Sequence, residues 1–144
     1  MVMSYFVIEH VANPVDILKT QAALLKPGGV IYLIVPNIYT NSADLVVADH
    51  VNHFSKQSLG ELLNRAGLRI DHIDAAAHDS AWVVTSTKAP TTKQPVSDID
   101  TLHAKVQQMS DLWHNLAQRV HQFEAAHNGN SQSAIYGSGF YGSF

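Results

Sequence analysis

The chain has 144 residues, 46% of them hydrophobic and 15% charged, with a formal net charge of −3. That size suits one domain with one core, and so mild a negative charge leaves no electrostatic footprint for nucleic acid or an anionic membrane surface. No apolar run reaches the ~18 residues needed to span a bilayer, and no basic-then-apolar leader opens the chain. A cytoplasmic protein is therefore expected. The absence of cysteine removes disulfides, thiol nucleophiles and thiolate metal sites. Nine histidines are the compositional oddity.

The first organising stretch, Val7 to Asn37, reads as a strand end, a helix and a second strand in one βαβ unit. The apolar runs Tyr5 to Ile8 and Val30 to Val35 are continuous enough to predict strands buried on both faces, as in parallel sheets. Asn13-Pro14 is a helix start: Asn accepts from free backbone donors, Pro occupies a position where its missing N–H costs nothing, and Asp16 lies in the positive first turn. Ile17, Leu18, Ala22 and Leu25 mark the buried face, and Lys26-Pro27-Gly28-Gly29 stops the helix.

From Pro36-Asn37 to Phe54 the sequence mixes polar residues with Leu45-Val46-Val47, which predicts a site-forming loop with room for a short helix. Ser55 then caps a helix with a Phe54 to Leu59 staple. Leu59, Leu62, Leu63 and Ala66 form its stripe, and Gly67 ends it. Leu68 to Asp74 and Ala81 to Thr87 predict an antiparallel pair at the sheet edge.

Residues 89–97 read as a linker, with two prolines in the surrounding KAPTTKQPV. Over 98–128, Ile99, Leu102, Val106, Met109, Trp113, Leu116, Val120 and Phe123 recur at steps of three and four, which predicts a long helix with one apolar seam. A seam of that kind is worth burying. A second copy of the chain, or an N-terminal half supplied separately, is the expected occupant. His103, His114, His121 and His127 fall outside the seam on a solvated face. Residues 129–144 end in Gly137-Ser138-Gly139-Phe140-Tyr141-Gly142, whose GxGxxG spacing lacks the following helix that a dinucleotide site requires. An unrelated dehydrogenase is accordingly the lowest-ranked reading.

Phe6-Val7-Ile8-Glu9-His10-Val11, Asn13-Pro14, Leu25-Lys26-Pro27-Gly28-Gly29, Val35-Pro36-Asn37 and Asp49-His50-Val51-Asn52-His53-Phe54-Ser55, in this order and spacing, resemble the second half of a class I S-adenosylmethionine-dependent methyltransferase. The resemblance covers roughly residues 3–88. It implies an α/β fold, a partial Rossmann-like sheet made of strands four to seven of the family's seven. Residues 1–88 are then the C-terminal half of the methyltransferase-like domain. Ala134-Ile135-Tyr136-Gly137-Ser138-Gly139 further resembles the start of the C-terminal domain of sugar C-methyltransferases, so that 129–144 would open a truncated second domain.

The resemblance implies S-adenosylmethionine as cofactor, a small sugar-like substrate, and Phe6, Val7 and Glu9 beside the cofactor. The family's first three strands, its glycine-rich turn and its ribose-holding acid have no counterpart here, so the isolated chain is expected to be inactive and to bind the cofactor weakly or not at all. Glu9, His10, His50 and His53 are the candidate catalytic residues. Imidazole titrates near neutrality and can take the proton whose loss makes a carbon nucleophilic, so His50 or His53 is the candidate base. A metal is not expected, because spacing supplies no third ligand for this pair. The alternative function is a non-catalytic interaction or dimerisation module derived from a methyltransferase.

Overall fold

The computed structural model describes residues 1–89 and 99–127. The chain divides into two compact units, 1–105 and 106–144. The first holds a four-stranded sheet, and its elements run β1 (Val2–Tyr5), α1 (Pro14–Ala23), β2 (Val30–Pro36), the 3₁₀ turn Asp44–Val46, α2 (Lys56–Arg65), β3 (Leu68–Asp74) and β4 (Ala81–Lys88). The order across the sheet is β1-β2-β4-β3. β1 and β2 are parallel, whereas β4 runs antiparallel to both β2 and β3.

Local chemistry explains the boundaries. Asn13 Oδ1 accepts from the Asp16 N–H at 3.3 Å, with Pro14 in the first turn of α1. The Ser55 hydroxyl accepts from the Ser58 N–H, and the Ser58 hydroxyl accepts from the Ser55 N–H, which closes a capping box on α2. Gly67 has φ +73°, a left-handed turn that glycine adopts without steric penalty, and it leads straight into β3.

One core gathers Leu18 and Ala22 of α1, Leu59 and Leu63 of α2, Ile31, Leu33 and Val35 of β2, and Trp82 and Val84 of β4. Both helices therefore cover the same face of the sheet. The alternate β2 residues Val30, Tyr32 and Ile34 are only half-buried, and Met3 and Tyr5 of β1 are exposed. The expectation of full burial on both faces thus fails for the described residues. Ile17 is also exposed, so the buried stripe of α1 is narrower than its sequence suggests.

β1 stops at Tyr5 rather than at Ile8. The Phe6 N–H still donates to the Ile34 carbonyl at 2.9 Å, but Phe6 then takes φ +49° and the chain turns, with the His10 N–H donating to the Val7 carbonyl. Ile8 is fully buried because the turn folds it back into the core. The expected antiparallel pair at the sheet edge is present. β3 is the edge strand, and β4 lies inside it, paired with β2 on its other side.

α3 (Ile99–His127) is the long helix the seam predicts. On it Leu112, Leu116, Val120 and Phe123 are exposed, as are all four histidines outside the seam. The linker at 89–97 beyond its first residue, and the terminal stretch at 129–144 with its glycine motif, lie outside the described residues.

Candidate functional site

β1 ends level with Ile34, two residues before β2 ends at Pro36. Beyond these ends lie the turn Phe6 to Val11 and the long loop Asn37 to Phe54, in the crevice where open α/β sheets bind ligands. The loop is shaped by buried polar groups. Asn37 is buried, its side chain accepts from the Tyr39 N–H at 2.9 Å, and its carbonyl accepts from the Thr40 and Asn41 N–H groups. The Trp82 indole donates to the Phe54 carbonyl at 3.0 Å and fixes the far end of the loop.

Two latches fold this loop over the β1 turn. The Glu9 carbonyl accepts from both the Val51 N–H at 2.9 Å and the Asn52 N–H at 3.0 Å. The Asn52 side-chain amide donates to the carbonyls of Ile8 at 3.0 Å and Val11 at 2.7 Å. Residues more than forty apart in sequence thereby come together. The His10 and His50 rings sit edge to face with centroids 4.8 Å apart.

Asp44 organises the histidines, and it is the residue that sequence reasoning missed. It is fully buried in the 3₁₀ turn, and its two carboxylate oxygens accept from His50 Nδ1 at 2.8 Å and His53 Nδ1 at 2.9 Å. An ionised carboxylate can only accept, so each ring presents an Nδ1–H to it, and in the neutral imidazole that leaves the lone pair on Nε2. The only signal in the sequence is an acid set among Ala43, Leu45 and Val46, six and nine residues ahead of the two histidines.

His10 is held through Nδ1 as well, at 3.1 Å from the Asp49 carbonyl and 3.3 Å from Asp49 Oδ2. Its Nε2 lies 3.9 Å from Glu9 Oε1, too far for a hydrogen bond. Glu9 is fully buried, and neither of its carboxylate oxygens has a hydrogen-bond partner among the described residues. Burial pushes its carboxyl pKa up, against the opposing pull of its own backbone N–H and of the His10 and His50 rings, while Asp44 adds to the rise. Glu9, His10 and His50 bring one ligand atom each to within 4.8 Å of one another. His53, the other half of the histidine pair, is not in this cluster.

His53 faces elsewhere. Together with Pro14 and Val15, the loop from Val51 to Phe54, and Ser58, Glu61, Leu62 and Arg65 of α2, it lines a groove of about 510 Å³. Glu9, His10 and His50 do not line it. Phe6 is half-buried and Val7 exposed at the end of β1. The four candidate catalytic residues therefore form one group of three and one separate member, with Asp44 bridging His50 and His53.

The model of a family described as a methyltransferase domain matches residues 1–73, about half of the chain. The chain belongs to the methyltransferase domain family. No curated protein matches it. Among solved structures, mitomycin 7-O-methyltransferase MmcR aligns with a TM-score of 0.53 at 21% identity, over 60% of this chain and 29% of the other. The O-methyltransferase NcsB1 from neocarzinostatin biosynthesis, solved with S-adenosylmethionine and 2-hydroxy-5-methyl naphthoic acid, aligns with a TM-score of 0.53 at 23% identity, over 60% and 28%. The complex of the Haloferax volcanii Trm112 methyltransferase activator with its candidate methyltransferase gives a TM-score of 0.50 at 16% identity, over 62% and 53%. At these identities the likeness is one of fold. The chain spans less than a third of the length of the two O-methyltransferases. No helix among the described residues is long and apolar enough to cross a membrane.

Proposed function

We propose that this chain is the substrate-side part of a class I S-adenosylmethionine-dependent methyltransferase acting on a small molecule, with His53 as its general base. The observation that carries this reading is the Asp44–His53 pair. A buried carboxylate holds Nδ1–H at 2.9 Å, and the ring lines a groove of about 510 Å³, the size of a small-molecule site. That pairing fixes the tautomer with Nε2 unprotonated and stabilises the imidazolium once Nε2 has taken a proton.

The crevice suits a cationic cofactor. No Lys or Arg occurs from Pro27 to Ser55, whereas Asp44 and Asp49 both lie in the loop that forms the crevice. Phe6 and Val7, at the β1 turn, would flank the cofactor. The Glu9 carbonyl is already spent on Val51 and Asn52, so Glu9 positions the loop rather than binding through its backbone. When bound, S-adenosylmethionine supplies an electrophilic methyl on a sulfonium that leaves as a neutral thioether. The chain's own task is to orient the acceptor in the groove and take its proton on His53 Nε2, so that an acceptor O–H or C–H bond is exchanged for a bond to methyl. Within this reading, a sugar-like acceptor methylated on carbon follows from the sequence resemblance, and a base beside a largely apolar groove that also carries Ser58, Glu61 and Arg65 is compatible with it.

The test is methyl transfer by the complete enzyme carrying His53→Ala. The expected result is a fall in kcat of about 100-fold or more with little change in KM. An unchanged kcat would remove His53 from the chemistry. A second reading, dimerisation through α3, is favoured by the exposed Leu112, Leu116, Val120 and Phe123. Sedimentation checks it: a dimer that Leu116→Glu dissociates supports the interface, and a monomer at all concentrations rejects it.

A further inference from the structure

We infer that Glu9, His10 and His50 form a binding site for one divalent transition-metal cation, Zn²⁺ by preference, at the C-terminal edge of the β1–β2 pair. The methyl-transfer reading neither requires nor assigns this site, and its residues do not line the groove that holds His53.

Four independent features point to a cation. The first is the donor set, one carboxylate and two imidazoles whose ligand atoms lie within 4.8 Å of one another. Two histidines and one glutamate with an open position are a recurrent Zn²⁺ set, and carboxylate plus imidazole also suits other first-row metals. Second, Glu9 is fully buried with both carboxylate oxygens unpartnered among the described residues. A buried charge without a partner is costly, and a cation between Glu9 and His10 would satisfy it.

Third, both histidines are prepared as ligands. His50 Nδ1 donates to Asp44 at 2.8 Å, and His10 Nδ1 donates to the Asp49 carbonyl at 3.1 Å. Metal-ligating histidines commonly donate their other ring N–H to a carboxylate or a backbone carbonyl, which orients the ring and raises its basicity. Both rings therefore offer Nε2. The fourth feature is space. His10 Nε2 and Glu9 Oε1 stand 3.9 Å apart, whereas donors about 2.0–2.2 Å from a tetrahedral ion lie roughly 3.3–3.6 Å from each other. The remaining separations extend to as much as 4.8 Å, so side-chain rotation has to draw the donors together by roughly 1 Å to reach that spacing.

The backbone around the site is rigid enough to hold it. The Glu9 carbonyl binds the Val51 and Asn52 amides, so the ligand at position 50 is tied to the ligands at 9 and 10 by main-chain bonds. The fourth coordination position would open beside His10, whose side chain is the most exposed of the three. Water or an acceptor oxygen would occupy it.

The experiment uses the whole chain, stripped with chelator and titrated with Co²⁺ and Zn²⁺ in a buffer that does not bind metal. The expected result is one equivalent bound with micromolar or tighter affinity, with Co²⁺ giving the intense visible absorption of a four-coordinate site and Zn²⁺ abolishing it. Glu9→Gln and His10→Ala should each weaken binding at least 10-fold while the circular dichroism stays native. His10→Ala alters a partly exposed side chain and serves as the folding-safe variant. His114→Ala, on α3, should leave the titration unchanged. No binding by the native chain would overturn the site. So would binding that survives both Glu9→Gln and His10→Ala, because the metal would then be held by other histidines. The readout contains no methyl transfer, so failure here leaves the His53 reading standing, and an inactive His53→Ala enzyme leaves this site standing.

Discussion

Two sets of histidines divide this molecule. His103, His114, His121 and His127 stand on α3, exposed, and where their partners are described those come from the same helix turn: Gln118 for His114, Glu124 for His121, the Phe123 carbonyl for His127. His10, His50 and His53 stand on a loop and a turn, and each is held at Nδ1 by a group from elsewhere in the loop, twice by a buried carboxylate. The residue type is the same. What differs is that contacts at the crevice orient each ring through its Nδ1 from outside its own helix or turn, whereas the described partners of the exposed helix rings lie within a turn of the same helix. A histidine becomes chemically useful when something other than its own helix decides which nitrogen carries the proton.

Asp44→Ala should strain that contrast most. It removes two hydrogen bonds to a charged acceptor at roughly 1.5–3 kcal/mol each, so denaturant unfolding should show a loss of about 3 kcal/mol or more. The same variant should free the His50 and His53 rings to change tautomer, visible in their ¹⁵N shifts. A stability change below about 0.5 kcal/mol would mean that the buried carboxylate does not organise the loop.

Asn52→Ala should come next, at about 1–2 kcal/mol, since it leaves the carbonyls of Ile8 and Val11 without their donor. Faster hydrogen exchange of the Val51 and Asn52 amides is the accompanying sign. Protection equal to that of the native chain would show that the main-chain latch on Glu9 holds alone.

Glu9→Gln tests the opposite sign. The carboxyl pKa is raised by burial, so the folded state holds its proton more tightly than the unfolded state. Stability of the metal-free native chain should fall as pH rises from the ordinary carboxyl range through the raised value. The glutamine variant lacks this loss, so it should be the more stable of the two at neutral pH and should lose its advantage in acid. Equal pH profiles by thermal unfolding in chelator would show that the burial costs nothing. The smallest effect is expected on the helix, where His114→Ala and His121→Ala should each move stability by less than about 0.5 kcal/mol. A larger loss from either would place a tertiary partner on that face.

Much of the frame was legible because it depends on neighbours in sequence. Asn13-Pro14 and Ser55 cap helices within three residues of themselves, and Gly67 supplies a turn that needs only its own backbone freedom. The pairing of β3 with β4 followed from a short polar connection. The continuous apolar run Tyr5 to Ile8 misled, because strand and turn are both apolar there. Only the packing shows that Ile8 is buried from a turn and that Tyr5 is exposed.

The site divides along the same line. Motif order carried the resemblance of residues 3–88 to a methyltransferase, which the family model supports over residues 1–73, and it placed histidines near residues 10, 50 and 53 beyond parallel strands. It did not determine which histidine meets which acid. Asp44, buried beneath two imidazoles, carries no local pattern, and Glu9 meets His50 only because the Asn52 amide and the Glu9 carbonyl draw the two loops together. Periodicity and caps are properties of adjacent residues, so they survive in the sequence. Which ring meets which acid is set by Asp44 within the loop and by latches to a turn some forty residues away, and only the folded chain makes these contacts.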